Sequence, residues 1–138
     1  MSNKNLNDLK NFGFEEAGEW YLSGDKLQYK LDDRFKNKRV IYAFVVEDEV
    51  KYIGICDSYN TTLQVRMDRY LKNLSETNRT NVRINEEIKK KLKLNHKVEI
   101  YALLPETKDK YEFNGISIDL IRGLEYPLIK KFNPEWNK

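Results

Sequence analysis

The residues of this chain that could carry out chemistry are tyrosines, arginines and carboxylates. The 138-residue sequence contains one cysteine and one histidine, too few for a zinc site of the usual ligand spacing. Neither residue has the neighbours expected of a Ser/His or Cys/His nucleophile. The remaining types, which include nine tyrosines, predict chemistry that depends on phenols, guanidinium groups, carboxylates and a hard metal ion.

One carboxylate, Glu125, lies in the middle of an otherwise apolar helical stripe. Steps of three and four residues select Ile118, Ile121, Glu125, Leu128 and Phe132, which is the spacing of a helix that faces the core. An ionised carboxylate that is buried without a partner costs several kcal/mol. The stripe therefore predicts that something neutralises Glu125.

Two kinds of partner fit Glu125. The structural alternative is a buried ion pair with Arg66, which lies among apolar neighbours in its own helix. The functional alternative is a divalent metal ion at the mouth of a cleft, because Mg²⁺ at phosphoryl sites is held by one or two carboxylates, waters and substrate phosphate. Residue spacing alone does not choose between the two.

Two tyrosines lie on a predicted β-hairpin. Tyr42 and Tyr52 flank a turn at Glu47–Glu49, and the strands around them are rich in β-branched and aromatic residues. If the register pairs the strands around that turn, both phenols point to the same sheet face, because strand side chains alternate with a period of two. Two phenols on one face are usually core packing.

Six short motifs follow one another in a specific order. They are "VIY" ending at Tyr42, "YIG" at Tyr52–Gly54, Arg66 in "LQVRMDRY", Tyr70 four residues later, Glu125 in "GLE", and "PEWN" ending at Asn137. Over residues 39–138 this order resembles the GIY-YIG nuclease family. The end of the chain looks most like the incision nuclease of bacterial excision repair, whereas "TNVRINEEI" looks more like the restriction enzymes of the family.

The resemblance implies catalytic roles for four residues on the sheet and the following helix. Tyr42 would accept a proton from the attacking water or relay it; a phenol with an unperturbed pKa of about 10 needs a nearby metal hydroxide or cation to do this at neutral pH. Tyr52 would orient the scissile phosphate. Arg66 would clamp that phosphate and stabilise transition-state charge. Tyr70 matches the aromatic partner of the arginine.

The resemblance also implies a metal ligand and a structural end to the site. Glu125 would hold one Mg²⁺ (or Mn²⁺) that stabilises the leaving oxygen. Asn137 would fix the end of the chain against the site. Two positions depart from the family pattern: Val40 replaces the first glycine, and Ile55 stands where several members carry lysine. The second departure predicts a slower enzyme, or a base supplied by Lys51 or another group.

A basic stretch predicts non-specific contact with DNA. Residues 79–97 carry seven basic side chains and two glutamates, whereas the whole chain has a net charge of only +3. Such a stretch is either the solvated face of a helix or an electrostatic footprint for nucleic acid. We predict phosphate contacts from Arg83, Lys89, Lys90 and Lys93.

The patterns predict an α+β fold in which a small, mostly antiparallel sheet is flanked by helices. The predicted order is a helix ending at Gly13, two hairpins, two helices, a strand and a closing helix over Ser117–Phe132. Thr61 or Thr62 is the predicted cap of the first central helix and Asn85 that of the second. Residues 1–38 are a predicted extension of helix and hairpin, packed on a nuclease domain of residues 39–138.

Composition limits the setting. With 40% hydrophobic and 34% charged residues and no long apolar run, the sequence predicts a globular protein without a membrane span. The single cysteine and the polar N-terminus fit a cytoplasmic location. The predicted function is a metal-dependent DNA endonuclease of restriction or mobile-element type. The alternative is a weak or inactive nucleic-acid-binding module, and a homodimer is compatible with either although the sequence does not derive it.

Overall fold

The computed structural model of this chain describes residues 4–72, 78–105 and 111–137 and has an α+β fold. The helices are α1 (Leu6–Phe12), α2 (Asp33–Lys36), α3 (Leu63–Lys72), α4 (Arg79–Lys93) and α5 (Leu120–Phe132). The strands are β1 (Glu15–Ser23), β2 (Lys26–Leu31), β3 (Ile41–Val46), β4 (Glu49–Ile55), β5 (Val98–Leu103), β6 (Glu112–Phe113) and β7 (Ile116–Ser117). None of the helices in these ranges is both long enough and apolar enough to cross a membrane.

Five strands form one antiparallel sheet in the order β2-β1-β5-β3-β4. The two predicted hairpins are present, and β5 joins them by pairing with both β1 and β3. The β3–β4 turn has positive φ at Glu47 and Asp48, the backbone that a tight hairpin turn matching strand twist requires. The N-terminal hairpin thus continues the sheet, and the boundary at residue 38 stays a prediction.

The sheet is covered by helices on both faces. Alternate residues of β3 separate the two cores: Tyr42 and Phe44 pack with α3 and α4, whereas Ile41 and Ala43 pack with α1 and α5. Every residue of β3 and β4 except Glu49 is buried. Because β3 and β4 are tightly packed, they hold the side chains at their ends in fixed positions.

The second central helix differs from the prediction at its start. Helix α4 begins at Arg79, so Asn85 lies within it and does not cap it. The Asn85 side chain is buried and donates a hydrogen bond to the Tyr70 carbonyl oxygen at 2.9 Å. That bond satisfies an amide at the α3–α4 contact, which explains why a cap-forming residue type occurs mid-helix.

The closing helix also begins later than predicted. Asp119 caps α5 by accepting a hydrogen bond from the Ile121 amide, and Ile118 precedes the helix with 42% of its surface exposed. The unpredicted β6–β7 hairpin comes before it. Its turn is Asn114-Gly115, with positive φ at both residues. Asn-Gly is a sequence signal for a tight hairpin, but the helical spacing from Ile118 onward led to the prediction of a helix that begins at Ser117.

Gly54 allows β4 to lie directly over the Tyr42 phenol. The register pairs Tyr42 with Gly54, and a Cβ at residue 54 would lie 2.5 Å from the Tyr42 hydroxyl oxygen. Tyr42 has no exposed surface, so its ring has nowhere to move. The absence of a side chain at this position is therefore a steric requirement.

We expect Gly54→Ala to lower the free energy of unfolding by about 1–3 kcal/mol, the usual cost of overpacking. Urea unfolding followed by the fluorescence of the two buried tryptophans, Trp20 and Trp136, measures it. The matched control is Gly123→Ala in α5, where the nearest heavy atom to the new Cβ lies at 3.7 Å. That change should leave stability unchanged or raise it by about 0.5–1 kcal/mol. Equal effects of the two substitutions would contradict the steric role of Gly54.

Candidate active site

A cleft of about 560 Å³ opens at the end of β4. The cleft lies between β4, α3, the start of α4 and α5, and three of the predicted catalytic residues line it: Tyr52, Arg66 and Glu125. The remaining lining residues are Gly54, Ile55, Asp57, Arg69, Asn78, Asn81 and Arg122. Side chains from four separated segments therefore face one polar space, as in a binding site.

A layer of aromatic rings lies under the cleft. The rings of Tyr42, Tyr52 and Tyr70 are 6.4 Å apart, centroid to centroid, in each pairing. Phe44 packs against all three. Tyr42 and Tyr70 are fully buried, whereas Tyr52 is 7% exposed and reaches the cleft. The predicted placement of Tyr42 and Tyr52 on one sheet face is confirmed, and only Tyr52 touches the open space.

The Tyr42 and Tyr70 hydroxyls are hydrogen-bonded to each other at 2.7 Å. Burial raises the pKa of Tyr42 well above its usual value near 10, and burial likewise raises the pKa of Tyr70. Both phenols are therefore protonated at neutral pH. The pair therefore supplies neutral hydrogen-bonding groups at this pH, and the proton transfer expected at Tyr42 stays a prediction.

Helix α3 presents Arg66 to the cleft. The Thr62 side chain accepts a hydrogen bond from the Val65 amide, which identifies Thr62 as the cap among the two predicted threonines. The Arg66 guanidinium lies 4.9 Å from the centre of the Tyr70 ring, a cation–π distance. Desolvation lowers the pKa of Arg66, whereas the neighbouring tyrosines and Asp57 raise it, and the net shift is upward. The group is a permanent cation.

Glu125 faces the same cleft as Arg66 without bonding to it. Within the described ranges no arginine or lysine nitrogen lies within 4 Å of the Glu125 carboxylate; the nearby ion pairs are Arg69–Asp57 at 3.8 Å and Arg122–Asp119 at 3.8 Å. The ion pair predicted as the structural alternative is therefore wrong. Burial raises the pKa of Glu125, an effect that Arg122 and Arg66 oppose and Asp57 increases.

A divalent metal ion fits the environment of Glu125. Among residues 4–72, 78–105 and 111–137 no three His, Cys, Asp or Glu side chains converge on a metal position. One carboxylate on the wall of a polar cleft nevertheless suits Mg²⁺, which keeps several waters and binds through one or two carboxylates plus phosphate. A cation there would also compensate the Glu125 charge, with which no basic side chain of the described residues forms an ion pair.

The C-terminal segment, residues 134–137, holds the edge strand β4 in place. The Asn137 side chain accepts a hydrogen bond from the Ile53 amide and donates one to the Ile53 carbonyl oxygen, both at 2.8 Å. The Trp136 amide donates to the Lys51 carbonyl oxygen at 2.8 Å. Asn137 thus imitates a neighbouring strand at the centre of "YIG", although it does not line the cleft.

Lys51 does not reach the cleft. Its ammonium group is buried and pairs with Glu135 at 2.7 Å and with Glu49 at 3.2 Å. These carboxylates raise the pKa of Lys51 against the desolvation that lowers it. Lys51 therefore remains charged and paired with Glu49 and Glu135. It does not replace the lysine that several family members carry at the position of Ile55.

The predicted DNA-contacting residues lie along α4. Lys90 and Lys93 are exposed and Lys89 is half-buried, while Lys90 also approaches Glu87 at 3.6 Å. Arg83 uses one guanidinium nitrogen to donate to the Trp136 carbonyl oxygen at 2.8 Å. Arg83 therefore supports the C-terminal segment, and its contact with phosphate stays a prediction.

A clamp that the sequence reading missed joins α5 to the sheet. Arg39 forms a two-pronged ion pair with Asp119, at 3.0 and 2.8 Å. Its Nε donates to the Cys56 carbonyl oxygen, and Nη2, which also contacts Asp119, donates to the Asp57 carbonyl oxygen beside the cleft. Because Asp119 also caps α5, the clamp fixes the helix that carries Glu125 against the loop that follows "YIG".

Two further arginines of the cleft were missed although the sequence carried a signal. Arg69 follows Arg66 by three residues, and Arg122 precedes Glu125 by three. That spacing places each on the same helix face as the predicted residue. Both line the cleft, which thus has three guanidinium groups against two carboxylates.

The fold is similar to two solved nuclease structures. A point mutant of EndoII from bacteriophage T4 matches with a TM-score of 0.69 at 26% identity, over 96% of this chain and 98% of that chain. Restriction endonuclease Hpy188I, solved in complex with product DNA, matches with a TM-score of 0.51 at 23% identity, over 95% and 84%. No family model and no curated protein matches the sequence. The chain therefore has a nuclease-like fold.

We expect Asp119→Asn to lower the free energy of unfolding at pH 7 by about 1.5–3 kcal/mol, the worth of hydrogen bonds to a charged group. Asparagine is also a good helix cap, so the substitution removes mainly the ion pair. The Arg39 guanidinium holds the pKa of Asp119 below its usual value. The stabilisation is therefore present above about pH 4, the unfolded pKa, and lost as pH falls through the folded pKa.

Chemical denaturation of both proteins between pH 2 and pH 7 tests this prediction. The two stability curves should converge below about pH 4. The control is Asp33→Asn, which removes an exposed carboxylate from α2 and should change stability little at any pH. A wild type and Asp119→Asn variant that differ by the same amount at pH 2 and pH 7 would contradict the clamp.

Proposed function

We propose that this protein is a metal-dependent endonuclease of the GIY-YIG type that hydrolyses phosphodiester bonds of DNA. The observation that carries the proposal is the convergence of Arg66, Glu125 and Tyr52 on one cleft without an Arg66–Glu125 ion pair. A purely structural pair would satisfy each charge with the other. The similarity to EndoII and the order of motifs along the sequence support the same reaction class.

Substrate binding would depend on the guanidinium groups and one phenol. Arg66 would hold two oxygens of the scissile phosphate through its planar fork and stabilise the charge that develops in the transition state. Arg69 and Arg122 would add positive potential along the cleft. The Tyr52 ring packs against Phe44 and its edge reaches the cleft. Its hydroxyl would orient the phosphate by donating a hydrogen bond to a phosphate oxygen.

Glu125 would hold one Mg²⁺ or Mn²⁺ ion. When bound, such an ion supplies Lewis-acid stabilisation of charge on phosphate oxygens and lowers the pKa of bound water. The protein's part is to present on the cleft wall a carboxylate that pairs with no basic side chain of the described residues. The Arg39–Asp119 clamp would hold Glu125 at a fixed distance from Arg66.

The Tyr42–Tyr70 pair would remain uncharged during the reaction. A phenol of raised pKa donates a hydrogen bond readily and does not become a phenolate at pH 7. Tyr42 would therefore act as a neutral hydrogen-bonding group, its hydroxyl held by the 2.7 Å hydrogen bond to Tyr70, and the proton of the attacking water would leave to solvent through the open cleft. Gly54, which lines the cleft and contacts the Tyr42 hydroxyl, would place no side chain between that hydroxyl and the cleft.

The second candidate is a DNA-binding module with weak catalysis. Ile55 favours it, because this apolar side chain lines the cleft where several family members carry lysine. In the described structure Lys51 does not compensate for it. Glu125 favours the nuclease, because it forms no ion pair within the described residues. DNA binding alone gives no reason to place a carboxylate beside phosphate.

The test is cleavage of supercoiled plasmid with Mg²⁺, with Mn²⁺ and with EDTA. We expect nicked or linear product with a metal ion and none in EDTA. Arg66→Ala should abolish cleavage with little loss of affinity, because one phosphate contact among many contributes little to binding but much to the transition state. Full cleavage in EDTA would exclude the metal-dependent reaction. Unchanged cleavage by Arg66→Ala would exclude its role.

Glu125→Gln separates a metal ligand from a structural carboxylate. Because burial raises the pKa of Glu125, the ionised group disfavours the fold at pH 7; the variant should keep or raise stability without metal. Its cleavage should fall by orders of magnitude, and any thermal stabilisation by Mn²⁺ should disappear. Melting curves of both proteins, each in EDTA and in Mn²⁺, measure this. A variant that melts far lower in EDTA, or still responds to Mn²⁺, would contradict the assignment.

A further inference from the structure

A second, larger depression lies on the other side of α3. This groove, of about 1120 Å³, runs between the edge strand β2, helix α3 and the C-terminal half of α4. From α3 it is lined by Gln64, Asp68, Leu71 and Lys72, whereas Arg66 and Arg69 line the cleft. The two sets of residues project from opposite sides of one helix. We call this depression the lysine groove.

Among the residues that the structure describes, the lysine groove has an excess of unpaired positive charge. Five lysines line it, Lys26, Lys30, Lys36, Lys72 and Lys89, against Asp25 and Asp68. Glu19 pairs with Lys30 at 2.9 Å, and Asp68 accepts a hydrogen bond from the Tyr29 hydroxyl at 2.6 Å. For the other four lysines, no carboxylate of the described chain lies within 4 Å of the ammonium group.

The chemistry of the groove selects a polyanion over a protein surface. Its four unpaired lysines come from different elements: the start of β2, α2, α3 and α4. Protein interfaces are centred on exposed aromatic and apolar anchors. Of the large apolar side chains exposed on the described chain, none lines the groove. A regular string of phosphates matches separated point charges of one sign.

The groove lies within reach of a duplex bound in the cleft. Helix α4 runs from Asn81 in the cleft to Lys89 in the groove. Those eight residues span about 12 Å of helix. Phosphates along one strand of B-DNA repeat every ~3.4 Å along the axis, so the groove lies roughly three to four nucleotides from the cleft. Both can contact one DNA molecule.

We propose that the lysine groove binds the sugar-phosphate backbone of the DNA that flanks the cleavage site. The proposal rests on the proposed function for the identity of the polyanion. Lys26, Lys36 and Lys72 contact phosphates together with Lys89, so the N-terminal hairpin and α2 form part of the DNA-binding surface. The contacts are sequence-independent, because ammonium groups on phosphates carry no information about bases.

The first test compares two triple variants with the same loss of charge. Lys26→Gln/Lys36→Gln/Lys72→Gln changes the groove, and Lys4→Gln/Lys10→Gln/Lys97→Gln changes exposed lysines outside both depressions. Binding of a 30-base-pair duplex is measured in EDTA over a range of salt. We expect the groove variant to bind roughly tenfold or more weakly at low salt, with a log–log slope reduced by about one unit per lost phosphate contact. Equal slopes for the two variants would overturn the proposal.

The second test locates the DNA directly. Cys56 is the only cysteine and is fully buried, so a thiol introduced by Lys26→Cys can be labelled selectively with iron–EDTA. We expect the label to cut bound DNA a few nucleotides from the scissile bond. The same label at Lys97→Cys should leave the DNA uncut, and equal cutting from both positions would overturn the groove.

The two tests also separate this proposal from the proposed function. If the wild type binds DNA and does not cleave it, the nuclease proposal fails while the salt slopes still decide the groove. If the wild type cleaves and the groove variant keeps the wild-type slope, the groove fails and the nuclease stands. A wild type that binds no DNA contradicts both.

Discussion

The rest of the structure depends on the close approach of Tyr42 to Gly54 across the β3–β4 pair. This contact requires glycine at one strand position and aligns the two strands so that Tyr52 lies on the same face as Tyr42. A one-residue slip would move every side chain of β4 to the opposite face. It would also remove Ile53 from the hydrogen bonds with Asn137. The floor of the cleft is therefore defined by one steric fit.

In the described part of the chain, the cleft leaves two charged groups, Arg66 and Glu125, without an ion pair. Arg66 and Glu125 face the same space but form no ion pair, and rigid neighbours hold them in position. The Arg39–Asp119 clamp fixes α5, while the Tyr70 ring lies beneath the Arg66 guanidinium. Unsatisfied charge held by a rigid surround is a recurrent feature of functional sites. A ligand that carries both negative charge and a cation would satisfy it.

Local patterns predicted the elements that depend on local chemistry. Alternating strands and tight turns predicted both large hairpins, and the two central helices α3 and α4 were predicted as well. Helical spacing failed at Ile118, because a helical stripe does not show where a helix begins, whereas the Asn114-Gly115 turn does. The prediction that Asn85 caps a helix failed because its side-chain amide donates to the Tyr70 carbonyl oxygen of another helix. The Arg39–Asp119 pair joins residues 80 positions apart, a separation for which the sequence carries no periodic signal.

The position of a bound metal ion tests the cleft most directly. A crystal of the protein with a short DNA duplex, grown with Mn²⁺, would locate the ion by its anomalous scattering. We expect one peak bonded to the Glu125 carboxylate, with a phosphate of the DNA between that ion and the Arg66 guanidinium. A Glu125 carboxylate bonded to Arg66 or Arg122, with no anomalous peak in the cleft and DNA bound elsewhere, would contradict the assignment of this cleft as the active site.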